Sequence, residues 1–300
     1  MTRTDTITLG GVEITRVFEE RRFDMPRLAI FPDVDEAIWR RQRDWLDPGF
    51  WNADSDMLVA SLQSWLLRSD GATILVDTGV GNDKPRPGMP IFDGLQTGYL
   101  DNLAAAGTRP EDVDLVVITH LHSDHVGWNT RLVDGEWVPT FPNARYLFAR
   151  DDLEYWDPGN GHPTRSGERM AGVFEDSVAP VLAAGLVDSW EGRHQADTNL
   201  SLEPAPGHTP GSAVLWLRSG TDRAAFVGDL LHSPLQVAEP DVCPCFDEDE
   251  AQGLASRRRV LGSVADEGAL LLPAHFPSAG AVELRRDGDR FAITEWAAFA

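Results

Sequence analysis

Apolar positions along the 300-residue chain fall into many short runs, several with period two, separated by polar and glycine-bearing turns. Val12 to Phe18 reads as a first strand. Leu58 to Leu67 and Ala72 to Val76 read as strands around a Ser69-Asp70-Gly71 turn. Asp114 to Ile118 is a strand ending on the apolar run Leu115-Val116-Val117-Ile118. Leu132-Val133 and Trp137-Val138 flank Asp134-Gly135, a dipeptide that tolerates the positive φ of a hairpin turn. Further short strands are predicted at Leu186 to Trp190, Asn199 to Glu203, Ala213 to Arg218 and Ala224 to Val227. The last ones lie near Leu270, at Ala281 to Leu284 and at Phe291 to Thr294.

Helical spacing is rarer. Leu95, Tyr99, Leu100 and Leu103 share a face, with Gly107 as the stop. Met170, Val173, Phe174, Val178, Val181 and Leu182 define an amphipathic helix closed by Gly185. Asp247 with Glu250 three residues later resembles a capping box for a helix to about Val264. Arg21 to Asn52 shows no clean period and carries Trp39, Trp45 and Trp51. The pattern predicts an α/β fold: two mixed β-sheets flanked by helices. No linker is visible. An N-terminal strand and arm, residues 1–56, is expected to pack on a main unit, residues 57–300.

A chain this long buries roughly 75% of its unfolded surface, so it needs no covalent staples. Its formal net charge of −22 disfavours nucleic acid, whose affinity rests on phosphate neutralisation. The one basic run, Arg257-Arg258-Arg259, is expected on a helix face. Cys243 and Cys245, one residue apart, make neither a disulfide framework nor a zinc knuckle and read as reduced thiols. Met1 to Gly11 has no apolar signal core, and no apolar stretch of about 18 residues occurs. A cytoplasmic protein with no membrane contact is expected.

The chemistry is concentrated in Thr119-His120-Leu121-His122-Ser123-Asp124-His125. Imidazole is the commonest metal ligand, and three of them with a carboxylate on one strand-end loop exceed what a single open tetrahedral ion can use. Two ions sharing the loop is the economical reading. His208, in Pro206-Gly207-His208-Thr209-Pro210-Gly211, Asp229, after Ala224 to Gly228, and His275, after Leu270 to Ala274, are further ligand types at or near strand ends. His162 and His194 sit in polar contexts and read as surface residues.

This order, H-x-H-x-D-H and then His, Asp and His, resembles the metallo-β-lactamase fold superfamily over roughly residues 57 to 295. The resemblance implies an αββα sandwich. It implies that His120, His122 and His208 hold one divalent ion, that Asp124, His125 and His275 hold a second, and that Asp229 bridges them. Zinc is the first expectation for both ions. Asp77 matches the superfamily's early aspartate that buttresses the metal loop. Asp124, Asp229 and His232 are the candidate catalytic residues. A histidine at 232, three residues after the bridge, resembles the methyl parathion hydrolase branch rather than the acyl-homoserine lactonases, which carry a tyrosine near there. The reading on the residues themselves leaves His232 between a pocket role and a structural hydrogen bond. The tryptophans of the arm and Trp128 are candidates for a pocket wall or for core.

The function this implies is a dinuclear zinc hydrolase. A hydroxide held between the ions would attack esters, lactones or phosphotriesters. A small, neutral, hydrophobic substrate suits an acidic protein, and a homodimer is compatible with the same reading. Three rivals remain. A glyoxalase II-like thioester hydrolase shares the ligands but needs a basic glutathione site after the last histidine; here the tail offers Arg285 and Arg286, and the whole chain has one lysine, Lys84. A flavodiiron-type redox module usually has glutamate where His122 stands. A metal-dependent binding protein without activity would not need the full ligand set. The bridging aspartate argues against a true β-lactamase, which typically has cysteine or serine there.

Overall fold

The computed structural model describes residues 5–299. Two mixed sheets stack face to face. The first has eight strands, with Thr6–Leu9, Val12–Pro26, Met57–Ser69, Ala72–Val76, Leu115–Val117, Arg145–Ala149 and Val187–Trp190 side by side and Trp51–Asn52 added to Met57–Ser69. The second has seven, in the order His194–Gln195, Leu200–Pro204, Ala213–Ser219, Asp222–Gly228, Leu270–Pro273, Val282–Asp287 and Arg290–Trp296. A separate hairpin pairs Thr130–Val133 with Glu136–Pro139, turning on Asp134 and Gly135, both at positive φ.

Strand alternation explains the stacking. Trp65 and Leu67 point into the layer between the sheets with Leu215 and Phe226, while Leu66 points outward with Tyr99 and Leu103 of the helix Tyr99–Ala105. The outer face of the second sheet is covered by the helix Glu250–Glu267 through Val260, Leu261 and Val264. Ala72–Val76, Leu115–Val117 and Arg145–Ala149 run parallel and are apolar on both faces, as parallel strands between two layers must be. The result is the predicted αββα arrangement.

Several expectations change in detail. The first strand runs on to Pro26, because register breaks at Phe18–Glu20 and Glu20–Phe23 hide its alternation. The segment that follows is not irregular. It forms the short helices Arg27–Ile30, Glu36–Arg41 and Arg43–Leu46, each too brief to show a helical period. The helix expected from Met170 begins as a π-turn, Phe174–Val178, and becomes α only at Ala179–Ala183, where Pro180 lacks the N–H an upstream α-turn would use. The long helix is capped by Asp249, which accepts from Gln252 N at 2.9 Å, not by Asp247. The run Arg257-Arg258-Arg259 lies on that helix as expected, but Arg257 is buried and donates to the carbonyls of Leu230, Pro240 and Val242. Among the described residues no helix is long and apolar enough to cross a membrane.

Candidate metal centre

Parallel strands deliver the key residues to one edge, at their C-terminal ends, where open α/β sheets build sites. Asp77 follows Ala72–Val76, His120 follows Leu115–Val117, Asp229 follows Asp222–Gly228, and His275 follows Leu270–Pro273. Two glycines let the loops converge. Gly228, at φ +51, brings Asp229 so near that a Cβ would lie 2.6 Å from Thr119 Oγ1. Gly207, at φ +133, lets the His208 loop touch the first turn of the long helix, where a Cβ would meet Gly253 N at 2.0 Å.

All seven expected ligands meet there, and His232 joins them. Asp229 stands in the middle. Its Oδ1 faces His125 Nε2 at 3.2 Å and His275 Nε2 at 3.0 Å. Its Oδ2 faces His232 Nε2 at 3.2 Å, His208 Nε2 at 3.6 Å and His120 Nε2 at 4.0 Å. Asp124 Oδ2 lies 3.4 Å from His275 Nε2. His122 Nδ1 and His208 Nε2 approach to 2.9 Å, a separation that needs a proton or a cation between them.

The far nitrogens are anchored. His125 Nδ1 donates to Asp77 Oδ2 at 2.9 Å, His208 Nδ1 to Asp247 Oδ1 at 3.0 Å, and His275 Nδ1 to Ser61 O at 3.1 Å. His120 Nδ1 stands 3.1 Å from Thr119 Oγ1, which itself donates to Asp77 at 2.8 Å. With Nδ1–H so engaged, the Nε2 lone pairs of His120, His125, His208 and His275 turn into the site. Asp152 ties the loops together, accepting from Leu121 N at 2.9 Å, Thr209 Oγ1 at 2.9 Å and Gly211 N at 2.6 Å. Burial raises its carboxyl to about 6 against these three donors. Asp77 lies where the sequence indicates. Asp247, Asp152 and Ser61 carry no motif that would have found them; Asp247 was hidden in an apparent helix cap.

The charge balance asks for cations. Burial, then the neighbouring imidazoles, holds His120 and His122 well below the usual histidine range, in the neutral form that binds metal. Burial works against charge on His125 and His275 too, but Asp229 and its neighbouring carboxylates outweigh it and raise both. Asp229 is held well below the carboxylate range, despite burial, by His275, His125 and His232. Protons on His125 and His275 thus occupy the position of positive charge. Meanwhile Nε2 of His120, His122 and His125, Oδ1 of Asp229 and both nitrogens of His232 are buried with no hydrogen-bond partner. Native interiors rarely tolerate that many orphaned groups in one place. Donor atoms of His120, His122 and His208, and of Asp124, His125, Asp229 and His275, lie within 4.8 Å of one another in each set. An all-nitrogen and oxygen set of this kind fits borderline divalent ions.

The residues between 61 and 275 match the metallo-β-lactamase superfamily model. The chain belongs to the metallo-β-lactamase superfamily. It is a hydrolase of that superfamily with lactonases among its relatives. It is 25% identical over 197 residues to the N-acyl homoserine lactonase AttM of Rhizobium radiobacter, spanning 64% of this chain and 68% of that one. Its fold is shared with AidC, a dizinc quorum-quenching lactonase solved with N-hexanoyl-L-homoserine, at a TM-score of 0.80 and 22% identity, covering 98% of both chains. The hydrolase AbOPH matches equally, at 0.80 and 22%, over 98% of this chain and 97% of its own.

A cleft opens above the cluster, floored by His122, Asp124, His208, Asp229, His232 and His275. Its walls are Phe23, Met25, Ile30, Met89, Phe92 and Phe246. The tryptophans do not contribute. Trp39 and Trp51 pack with Phe31 and Leu46 in a cluster that joins the arm to Leu58, Leu235 and Val242 of the main unit, and Trp45 is partly exposed. Trp128 is buried, stacked on Tyr99, and donates to Glu19 at 2.7 Å. His162 is exposed and stacked on Tyr155, and His194 sits in an edge strand.

Proposed function

We propose that the chain is a metal-dependent hydrolase of lactones and carboxylic esters with small, largely apolar acyl groups. Two divalent ions, zinc first, would be held by His120, His122 and His208 on one side and by Asp124, His125 and His275 on the other, with Asp229 shared. The observation that carries the proposal is the division of Asp229, Oδ1 toward one set of imidazoles and Oδ2 toward the other. When bound, the ions supply an acidified water and a Lewis acid for the substrate carbonyl. The chain's own residues do the rest. Asp229 sets the spacing of the two sets. The phenylalanine and methionine walls exclude bulk water and receive the acyl chain. Asp124 accepts the proton released as water oxygen bonds the acyl carbon. His232 Nε2, on the cleft floor, holds a proton for the leaving alkoxide as the C–O bond breaks. A lactone yields the hydroxy acid, an ester the acid and the alcohol.

The relatives named as lactonases and the apolar walls support lactones ahead of phosphodiesters or nucleic acid, whose charge this acidic chain repels. The test is a parallel panel on metal-quantified protein: an aryl acetate, an acyl-homoserine lactone, a dialkyl aryl phosphate, a glutathione thioester and a cephalosporin. Lactone or aryl ester cleavage should dominate, with the phosphotriester slower. Dominant cleavage of the thioester or the cephalosporin would overturn the proposal, as would full activity in protein containing no metal.

A further inference from the structure

Above the histidine and aspartate floor, the cleft wall is apolar except for Ser123 and one short turn. Ser166 and Arg169 both line it, and Arg169 is the one basic side chain there. Arg169 N and Met170 N donate to Ser166 O at 2.9 and 3.1 Å, so the segment is a helical turn and positions three apart share a side. The turn is fixed from behind. Glu248 accepts from Arg165 N at 2.7 Å, Ser166 N at 3.0 Å and Tyr155 Oη at 2.7 Å. Gly88 packs beneath it so closely that a Cβ would meet Glu168 O at 2.2 Å. The Arg169 guanidinium lies over the Phe246 ring, 4.8 Å from its centroid, and that ring stands 5.8 Å from the His232 ring. Arg169 makes no ion pair with a carboxylate among the described residues and lies against the Cys245 thiol, a weak acceptor. Ser166 Oγ is buried and has no hydrogen-bond partner.

A buried hydroxyl without a partner and a guanidinium without a carboxylate partner, held one aromatic ring away from the catalytic floor, are donors with capacity for an oxygen acceptor. We propose that Ser166 and Arg169 form an oxygen-recognition edge, which binds a carboxylate or an amide carbonyl at the far part of the substrate's acyl group. Both groups donate, and neither has an oxygen acceptor in the cleft, so a hydrocarbon tail leaves that capacity unused in the bound state. Substrates bearing a second oxygen acceptor beyond the scissile ester are therefore preferred over their hydrocarbon isosteres. This deepens the hydrolase proposal and rests on it.

The experiment uses three 4-nitrophenyl esters of matched length: heptanoate, adipamate and hydrogen adipate, ended by methyl, amide and carboxylate. Wild-type, metal-loaded protein should favour at least one oxygen-ended ester over the heptanoate by about 10-fold in kcat/KM, the worth of one hydrogen bond to a charged donor. R169Q and S166A should each shrink that ratio by at least about 3-fold, through KM rather than kcat, and R169K should retain part of it. The larger loss, on the carboxylate or on the amide, identifies which acceptor the edge takes. Equal rates on all three esters in the wild type, or a ratio that R169Q leaves unmoved, would overturn the inference while the hydrolase proposal stands. Failure of the wild type on every ester and lactone would remove both.

Discussion

Asp247 accepts from His208 Nδ1 at 3.0 Å, with both side chains almost wholly buried. Its other oxygen is reached by Arg257 at 3.4 Å, itself anchored on three backbone carbonyls. The carboxylate therefore fixes the ring of His208 and leaves Nε2 free for an ion. Removing such a partner typically costs 10- to 100-fold in metal affinity. D247A should lose zinc affinity on about that scale in chelator competition. The helix Glu250–Glu267 should persist in far-ultraviolet dichroism, because Asp249 caps it. An unchanged affinity would show that His208 needs no such support.

Asp229 carries more. D229A removes the one group common to both imidazole sets and leaves His125 and His275 without the anion that raises their basicity. The variant should bind one ion fewer by elemental analysis and hydrolyse lactone at least ~10²-fold more slowly, as for loss of a preorganised catalytic element. Two ions per chain together with near-normal turnover in D229A would contradict the shared position.

The sequence made the metal loop legible because ligand chemistry is local: His120 to His125 lie within one loop, and each remaining ligand follows an apolar strand. Asp77 was legible for the same reason. What remained hidden is long-range. Asp247 looks like a helix cap because capping and ligand support use the same residue type. Asp152 joins two loops that sequence separates by dozens of residues, and nothing near it marks that role. The arm shows why pattern fails. Its helices of four to six residues carry no period, and Trp39 and Trp51 face inward on one another, 5.4 Å apart, rather than toward the cleft. Burial of a tryptophan against another tryptophan and burial against a ligand leave the same trace in a sequence.

Lys84, the lone lysine, gives a prediction away from the centre. It is buried, donates to Thr130 Oγ1 at 2.5 Å and Asp176 O at 3.0 Å, and lies over Trp137 at 3.6 Å. Burial lowers its ammonium to about 7; Asp176 opposes the shift and Arg86 adds to it. A lowered folded value means stability that is fully present above the unfolded lysine range and is lost as pH falls toward 7. The urea-unfolding free energy of wild type minus that of K84M should therefore rise between pH 7 and pH 9, by at least ~1 kcal/mol after allowance for solvent screening. A difference that stays constant, or shrinks, would mean that the ammonium remains charged throughout.

His232 separates a ligand from a proton donor. Its Nε2 lies 3.2 Å from Asp229 Oδ2 and 3.2 Å is also a distance an ion could replace, so geometry alone admits either role. The surroundings favour the donor. Its ring nitrogens have no hydrogen-bond partner, whereas His125, His208 and His275 all have Nδ1 tied to a carboxylate or a carbonyl, as ligating imidazoles need. Burial lowers His232, with Asp229 pulling the other way, so its proton-bearing form is the minor one at neutral pH and the contribution it makes as an acid should weaken as pH rises. H232A should keep the wild-type metal content and lower kcat on lactone by about 10²-fold, the lower end for a positioned general acid, with KM changed far less. The loss should be smaller on 4-nitrophenyl esters, whose leaving group departs without a proton. A fall of one ion per chain in H232A, or equal losses on alkyl and nitrophenyl leaving groups, would make His232 a ligand instead.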